Sequence, residues 1–112
     1  MATGIIKSTS IYRDPTITFN STVTDNGTEI FRMGNLVFIN FNFIVPNGVA
    51  QGWSTVGSVT PLPANGVVME YATITPSITI GVWVNESGEI SCWNNGSGSY
   101  KNAIRGLLVY TI

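Results

Sequence analysis

From Val37 to Val45 the chain alternates almost without relief: Val37, Ile39, Phe41, Phe43 and Val45 are apolar, and Phe38, Asn40 and Asn42 fall between them. Successive side chains of a strand point to opposite faces, whereas a helix brings together residues three and four apart. A run of this kind reads as a long strand with its odd-numbered face in a core. No segment of the chain has helical spacing. Thr, Val and Ile are abundant, and Gly, Asn and Ser recur at short intervals, which is an all-β rhythm. The predicted strands are 5–12, 16–24, 28–33, 35–45, 54–60, 67–74, 78–85, 89–94 and 101–111. Turns are signalled at Asp25-Asn26-Gly27, Met33-Gly34-Asn35, Pro46-Asn47-Gly48 and Glu86-Ser87-Gly88, whose residues tolerate positive φ. Pro61-Leu62-Pro63-Ala64-Asn65-Gly66 reads as a stiff crossing, and Asn94 to Ser99 as a longer loop. The expected fold class is all-β, a compact antiparallel barrel or sandwich of about 8–9 short strands.

A chain of 112 residues with no repeat or linker is one domain, 1–112. Only 10% of its residues are charged, against a usual share of about 25%. That suits a protein which hides surface in an oligomer or works outside cells. A net charge of −1 supplies no footprint for nucleic acid, and no basic run marks a membrane surface. No signal peptide is legible, and no apolar run is long enough to span a bilayer. The expectation is therefore no nucleic acid, no membrane, and release by lysis if the protein acts outside a cell.

Histidine is absent, which removes the commonest general base, the usual catalytic triad and imidazole zinc sites. The single cysteine, Cys92, excludes an intrachain disulfide and falls among core-facing positions, as a small buried hydrophobe does. Glu86 and Glu89 flank a turn, where carboxylates are usually solvated, so acid–base catalysis by a glutamate pair is disfavoured. No phosphate loop, nucleophile elbow or acidic calcium loop is present. The chain reads as a non-enzyme without cofactor or metal. Four Asn-x-Ser/Thr sequons, at Asn20, Asn26, Asn85 and Asn95, read as turn composition.

The hairpin 78–94 carries the candidate site. Ile78, Ile80, Val82 and Val84 share one face, and Trp83 opposes them with Gly81 and Asn85. Ile90 and Cys92 share a face, and Trp93 opposes them. If Asn85 pairs with Glu89, then Trp83 faces Ser91, Gly81 faces Trp93, and the two indoles become diagonal neighbours. Indole faces stack on the C–H face of a sugar, and Asn85, Glu89, Asn94 and Arg105 are suitable partners for its hydroxyls. The competing explanation is burial of this face against a second sheet or another subunit. Arg105 shares a face with Leu107 and Val109, so it calls for a ligand or for an ion pair with Glu70, Glu86 or Glu89. Trp53 reads as a core or interface filler.

Four stretches carry a family likeness: Phe31-Arg-Met-Gly-Asn-Leu-Val-Phe-Ile-Asn-Phe-Asn42, Thr60-Pro-Leu-Pro-Ala-Asn-Gly66, Val84-Asn-Glu-Ser-Gly-Glu-Ile90 and Ile104-Arg-Gly-Leu-Leu-Val-Tyr110. In pattern and order the chain resembles the C-terminal receptor-binding head of tail-tip proteins of lactococcal-type siphophages. The resemblance implies a homotrimeric β-barrel head, carried on the virion at the tail tip or baseplate, that attaches to host cell-wall polysaccharide without catalysis. It implies a preceding shoulder and neck that contact other baseplate proteins, with 1–7 as the junction. It places Trp93 and Arg105 in the saccharide site. The histidine and aspartate that some members use have no counterpart, since Gly81 and Trp83 stand in their places. A structural trimerisation module that binds another virion protein is the alternative.

Overall fold

The alternating segments pair into nine strands, and no helix occurs among the described residues of the computed structural model, which are 10–72, 78–96 and 98–112. The strands are β1 (Thr16–Phe19), β2 (Thr24–Asp25), β3 (Glu29–Met33), β4 (Leu36–Ile44), β5 (Gly52–Thr60), β6 (Val67–Ala72), β7 (Thr79–Val84), β8 (Glu89–Asn94) and β9 (Ile104–Thr111). The expected strand over 5–12 lies mostly outside the described residues, as do 73–74 of the sixth and the junction 1–7. What is described of the first segment is a single bridge between Tyr12 and Arg32.

Two antiparallel sheets form. One runs β1-β5-β8-β7-β6. The other is built on β4, which pairs with β2 and β3 along one edge and with β9 along the other. The expected strand over 16–24 is two strands in different sheets. At the break, Asn20 N–H donates to the Val56 carbonyl, its side-chain amide donates to the Thr55 carbonyl, and Val23 N–H closes the turn on the Asn20 carbonyl. The polar Asn-Ser-Thr run thus changes sheets at a corner, with the backbone groups of Asn20 paired to backbone and its side-chain amide capping the Thr55 carbonyl at the bulge of β5.

The core sits between the sheets. Val37, Ile39, Phe41, Phe43 and Val45 are all buried, as their alternation requires. They meet Ile80, Val82, Val84, Ile90 and Cys92 from the opposite sheet, with Ile104, Leu108 and Tyr110 of β9. Burying each large aliphatic or aromatic side chain contributes about 1.5–3 kcal/mol. The crossing after β5 is pinned to β9: Tyr110 donates its hydroxyl to the Pro61 carbonyl (2.8 Å), and Ala64 N–H donates to the Thr111 carbonyl. Burial pushes the Tyr110 phenol up to about 12.

The candidate hairpin β7–β8 has the expected register. Gly81 lies opposite Trp93, Trp83 opposite Ser91, and Asn85 N–H donates to the Glu89 carbonyl. Its turn is fixed by Asn85, whose Oδ1 accepts from Ser87 N–H and Glu89 N–H, and by Gly88 at φ 79°. With aliphatic side chains inward, the pairing directs Gly81, Trp83, Ser91 and Trp93 to the outer surface of the five-stranded sheet.

Candidate functional site: an aromatic ledge on the five-stranded sheet

Three adjacent strands, β5, β8 and β7, each place an indole on this outer surface. Trp53 lies directly across from Trp93, with ring centroids 5.1 Å apart and planes tilted by 44°. Trp83 meets Trp53 edge-on at 6.2 Å and 80°. The third indole, Trp53, is therefore the hub that joins the other two. Trp83 and Trp93 are diagonal neighbours, as the register requires, and the ring contacts of each run to Trp53. Ser91 leaves room for the arrangement: it lies between Trp83 and Thr55 in the cross-strand row, and its small side chain is buried beside the rings. Trp83 is further wedged over Gly66, where an added Cβ would lie 3.0 Å from the indole. Tilted and edge-to-face contacts of this kind contribute about 0.5–1.5 kcal/mol each beyond area burial.

All three tryptophans of the chain belong to this ledge. Trp53 remains 58% exposed and Trp93 39%. Trp53 is therefore not a filler of this chain's core, the first of the two roles expected of it. A β-bulge explains the difference. Thr55 pairs with Ser91 and Gly57 with Ile90, leaving Val56 as an extra residue. Counting in twos from buried Val59 puts Trp53 inside, and the extra residue turns it outward. Gly57, interior to the strand, is the signal: a Cβ there would collide with the Thr18 carbonyl oxygen of β1.

Between the rings is a cleft of about 320 Å³. Among the described residues it is lined by Gly81 and Val82 of β7, by the indoles of Trp53, Trp83 and Trp93, and at its margin by Val68, Thr79 and Asn95. A shallower recess of about 280 Å³ lies beside it, against Trp53, Trp83, Ser91 and Asn85.

The remaining expected site residues divide. Asn85 borders the recess, but its Oδ1 is committed to the turn, while its Nδ2 approaches Glu89 Oε1 at 3.4 Å. Glu89 is exposed at the hairpin's end and lines neither cavity. Asn94 is withdrawn altogether. It follows Trp93, so alternation sends it inward, where it is fully buried. Its Nδ2 donates to the Val49 and Gly98 carbonyls at 2.8 and 2.9 Å, and its Oδ1 accepts from Gly96 N–H. The neighbouring Asn95 takes its place on the rim, with Oδ1 accepting from Thr79 N–H at 2.8 Å.

Arg105 is not brought to the ledge. It lies on β9, opposite Asn42, on the exposed surface of the other sheet. Of its expected carboxylate partners, Glu86 and Glu89 form no ion pair with it, and the Glu70 side chain lies outside the described residues; Arg32 and Asp14 make the one ion pair among the described residues. Cys92 is buried behind the ledge, and desolvation raises its thiol to about 12, so it is a core side chain rather than a nucleophile. Comparison with models of protein families, with curated proteins and with solved structures gives no match.

Proposed function

We propose that this domain recognises a saccharide, without catalysis, through the ledge of Trp53, Trp83 and Trp93. The observation that carries the reading is the convergence of every tryptophan in the chain on one exposed surface around an open cleft. A soluble fold gains by burying indoles, so three held together at the surface suit a partner that stacks on them. Polar groups at the margin, Asn85, Thr79 and Asn95, suit the hydroxyls of a sugar. The family resemblance supplies the setting. In that reading the domain is a phage receptor-binding head that attaches a virion tail tip to the host's cell-wall polysaccharide, acts as a homotrimer, and joins other baseplate proteins through a preceding neck. A shallow site binds weakly, and several heads together raise the avidity.

The test is indole fluorescence during titration with purified host cell-wall polysaccharide. A saturable change in the native protein, lost in Trp53→Ala and Trp93→Ala variants of unchanged circular dichroism, supports the reading. No change with polysaccharide, while intact host cells still bind, refutes it.

One observation favours a second reading, a trimerisation or virion-protein docking module. The outer surface of the β4 sheet carries stacked Phe31 and Phe38 (5.1 Å, 9°) beside exposed Leu36 and Leu107. That reading expects Leu107→Asp to dissociate an oligomer in sedimentation, and saccharide to leave the indoles unperturbed.

A further inference from the structure

We propose that Asn65-Gly66 is a site of self-modification, where the Gly66 main-chain nitrogen converts the Asn65 amide to aspartate and isoaspartate and thereby unseats Trp83. The proposal does not depend on the saccharide reading. Asn-Gly occurs at Asn26, Asn47, Asn65 and Asn95. A glycine after asparagine leaves its nitrogen unshielded by any side chain, so all of these are candidates by sequence. The structure separates them. Gly27 N–H donates to Asp25 Oδ1 at 3.1 Å, Gly48 N–H to the Val45 carbonyl at 2.8 Å, and Gly96 N–H to Asn94 Oδ1 at 2.8 Å. A nitrogen held in this way must break its hydrogen bond before it can attack. Asn95 is restrained a second time, since its own Oδ1 accepts from Thr79 N–H.

Asn65-Gly66 differs. Both residues are exposed, and neither the Asn65 side chain nor Gly66 N–H has a hydrogen-bond partner among the described residues. The pair lies between two anchors: Ala64 N–H donates to the Thr111 carbonyl, and Val67 enters β6 opposite Val84. The chemistry closes without a cofactor. The deprotonated Gly66 nitrogen bonds to Asn65 Cγ, the Cγ–Nδ2 bond breaks, and ammonia leaves. Water then opens the cyclic imide. Attack at Cγ gives aspartate. Attack at the main-chain carbonyl gives isoaspartate, whose peptide link runs through the former side chain. The balance is one water consumed and one ammonia released.

The neighbour that feels the change is Trp83. Its indole lies against Gly66, where an added Cβ would be 3.0 Å from Cζ2. Isoaspartate lengthens the main chain by a methylene directly before this contact and leaves a carboxylate beside it. A ring packed so closely has little slack to absorb the extra length. Trp83 therefore shifts, and its edge-on contact with Trp53 at 6.2 Å shifts with it. The ledge ages by a reaction of its own main chain, with the core and the strand ladders left folded.

The experiment incubates the folded protein in mildly alkaline buffer, where the attacking nitrogen is more readily deprotonated. Peptide mapping by mass spectrometry, with isoaspartyl methyltransferase labelling, reads each Asn-Gly site. Near-ultraviolet circular dichroism reads the indole cluster. Asn65 should convert about tenfold faster than Asn26, Asn47 or Asn95, the effect of one hydrogen bond that need not be broken. The indole signal should drift in step with isoaspartate at that site. Asn65→Gln, whose longer side chain closes a larger ring far more slowly, should keep the fold and abolish the drift. In denaturant the rates at these sites should converge. Comparable rates in the folded protein, faster conversion at another site, or the same order of rates in denaturant overturns the proposal. So does full conversion of Asn65 with an unchanged indole signal, or a drift that survives Asn65→Gln. Failure of the fresh protein to bind polysaccharide overturns the saccharide reading alone.

Discussion

A single step along β8 separates a side chain that could meet a ligand from one that cannot. Asn94 and Asn95 are chemically identical, yet one is fully buried with three hydrogen bonds to backbone, and the other is on the cleft rim. Asn94→Ala removes all three bonds from a desolvated site and should cost about 2–3 kcal/mol, read as a lower denaturant midpoint. Its effect on binding should follow the loss of folded protein and nothing more. Alternation from Trp93 already assigned Asn94 to the core side, so the sequence contained the correction. Trp53 was harder to read, because its orientation depends on one extra residue at Val56, and a bulge carries little local signature beyond Gly57.

At the scale of elements, the long strand and the late hairpin were legible because two independent constraints agreed. Alternation set the faces, and turn chemistry set the register. The hairpin β7–β8 depends on Gly88, whose φ of 79° disfavours a side chain and whose position would put a Cβ 2.6 Å from the Val59 carbonyl oxygen. Gly88→Ala should therefore destabilise the domain by about 2 kcal/mol or more and loosen the ledge with it, seen as faster amide exchange in β7 and β8. The segment 16–24 reads as one strand because Thr, Ile, Phe and Val on both sides of Asn20-Ser21 favour extended backbone. Only the long-range partners of Asn20 reveal the corner.

At the scale of the whole molecule, two sheets give two outer surfaces, and no local pattern says which of them a residue will share with another strand's residue. That is why Arg105 and Trp93 could be read as neighbours. Arg105→Ala should leave the indole titration with host polysaccharide unchanged within about twofold, since the guanidinium is on the β4 sheet and lines neither cavity. Stability against pH is a property of the same core. The folded state raises Cys92 from an ordinary 9.0 and Tyr110 from an ordinary 10.0, each to about 12, by desolvation. A raised acid is one whose neutral form the fold favours, so this contribution is complete below pH 9 and is lost as pH rises toward 12. The thermal midpoint should fall across that window, and Cys92→Ala should make the fall shallower.

The concentration of all three indoles on one face also separates what the molecule reports from what holds it together. Indole emission follows the ledge, while the amide signal follows the ladders of both sheets and the core between them. If the domain melts cooperatively the two curves coincide. If β7 and β8 fray first, emission will announce unfolding in a protein whose β4 sheet is still intact.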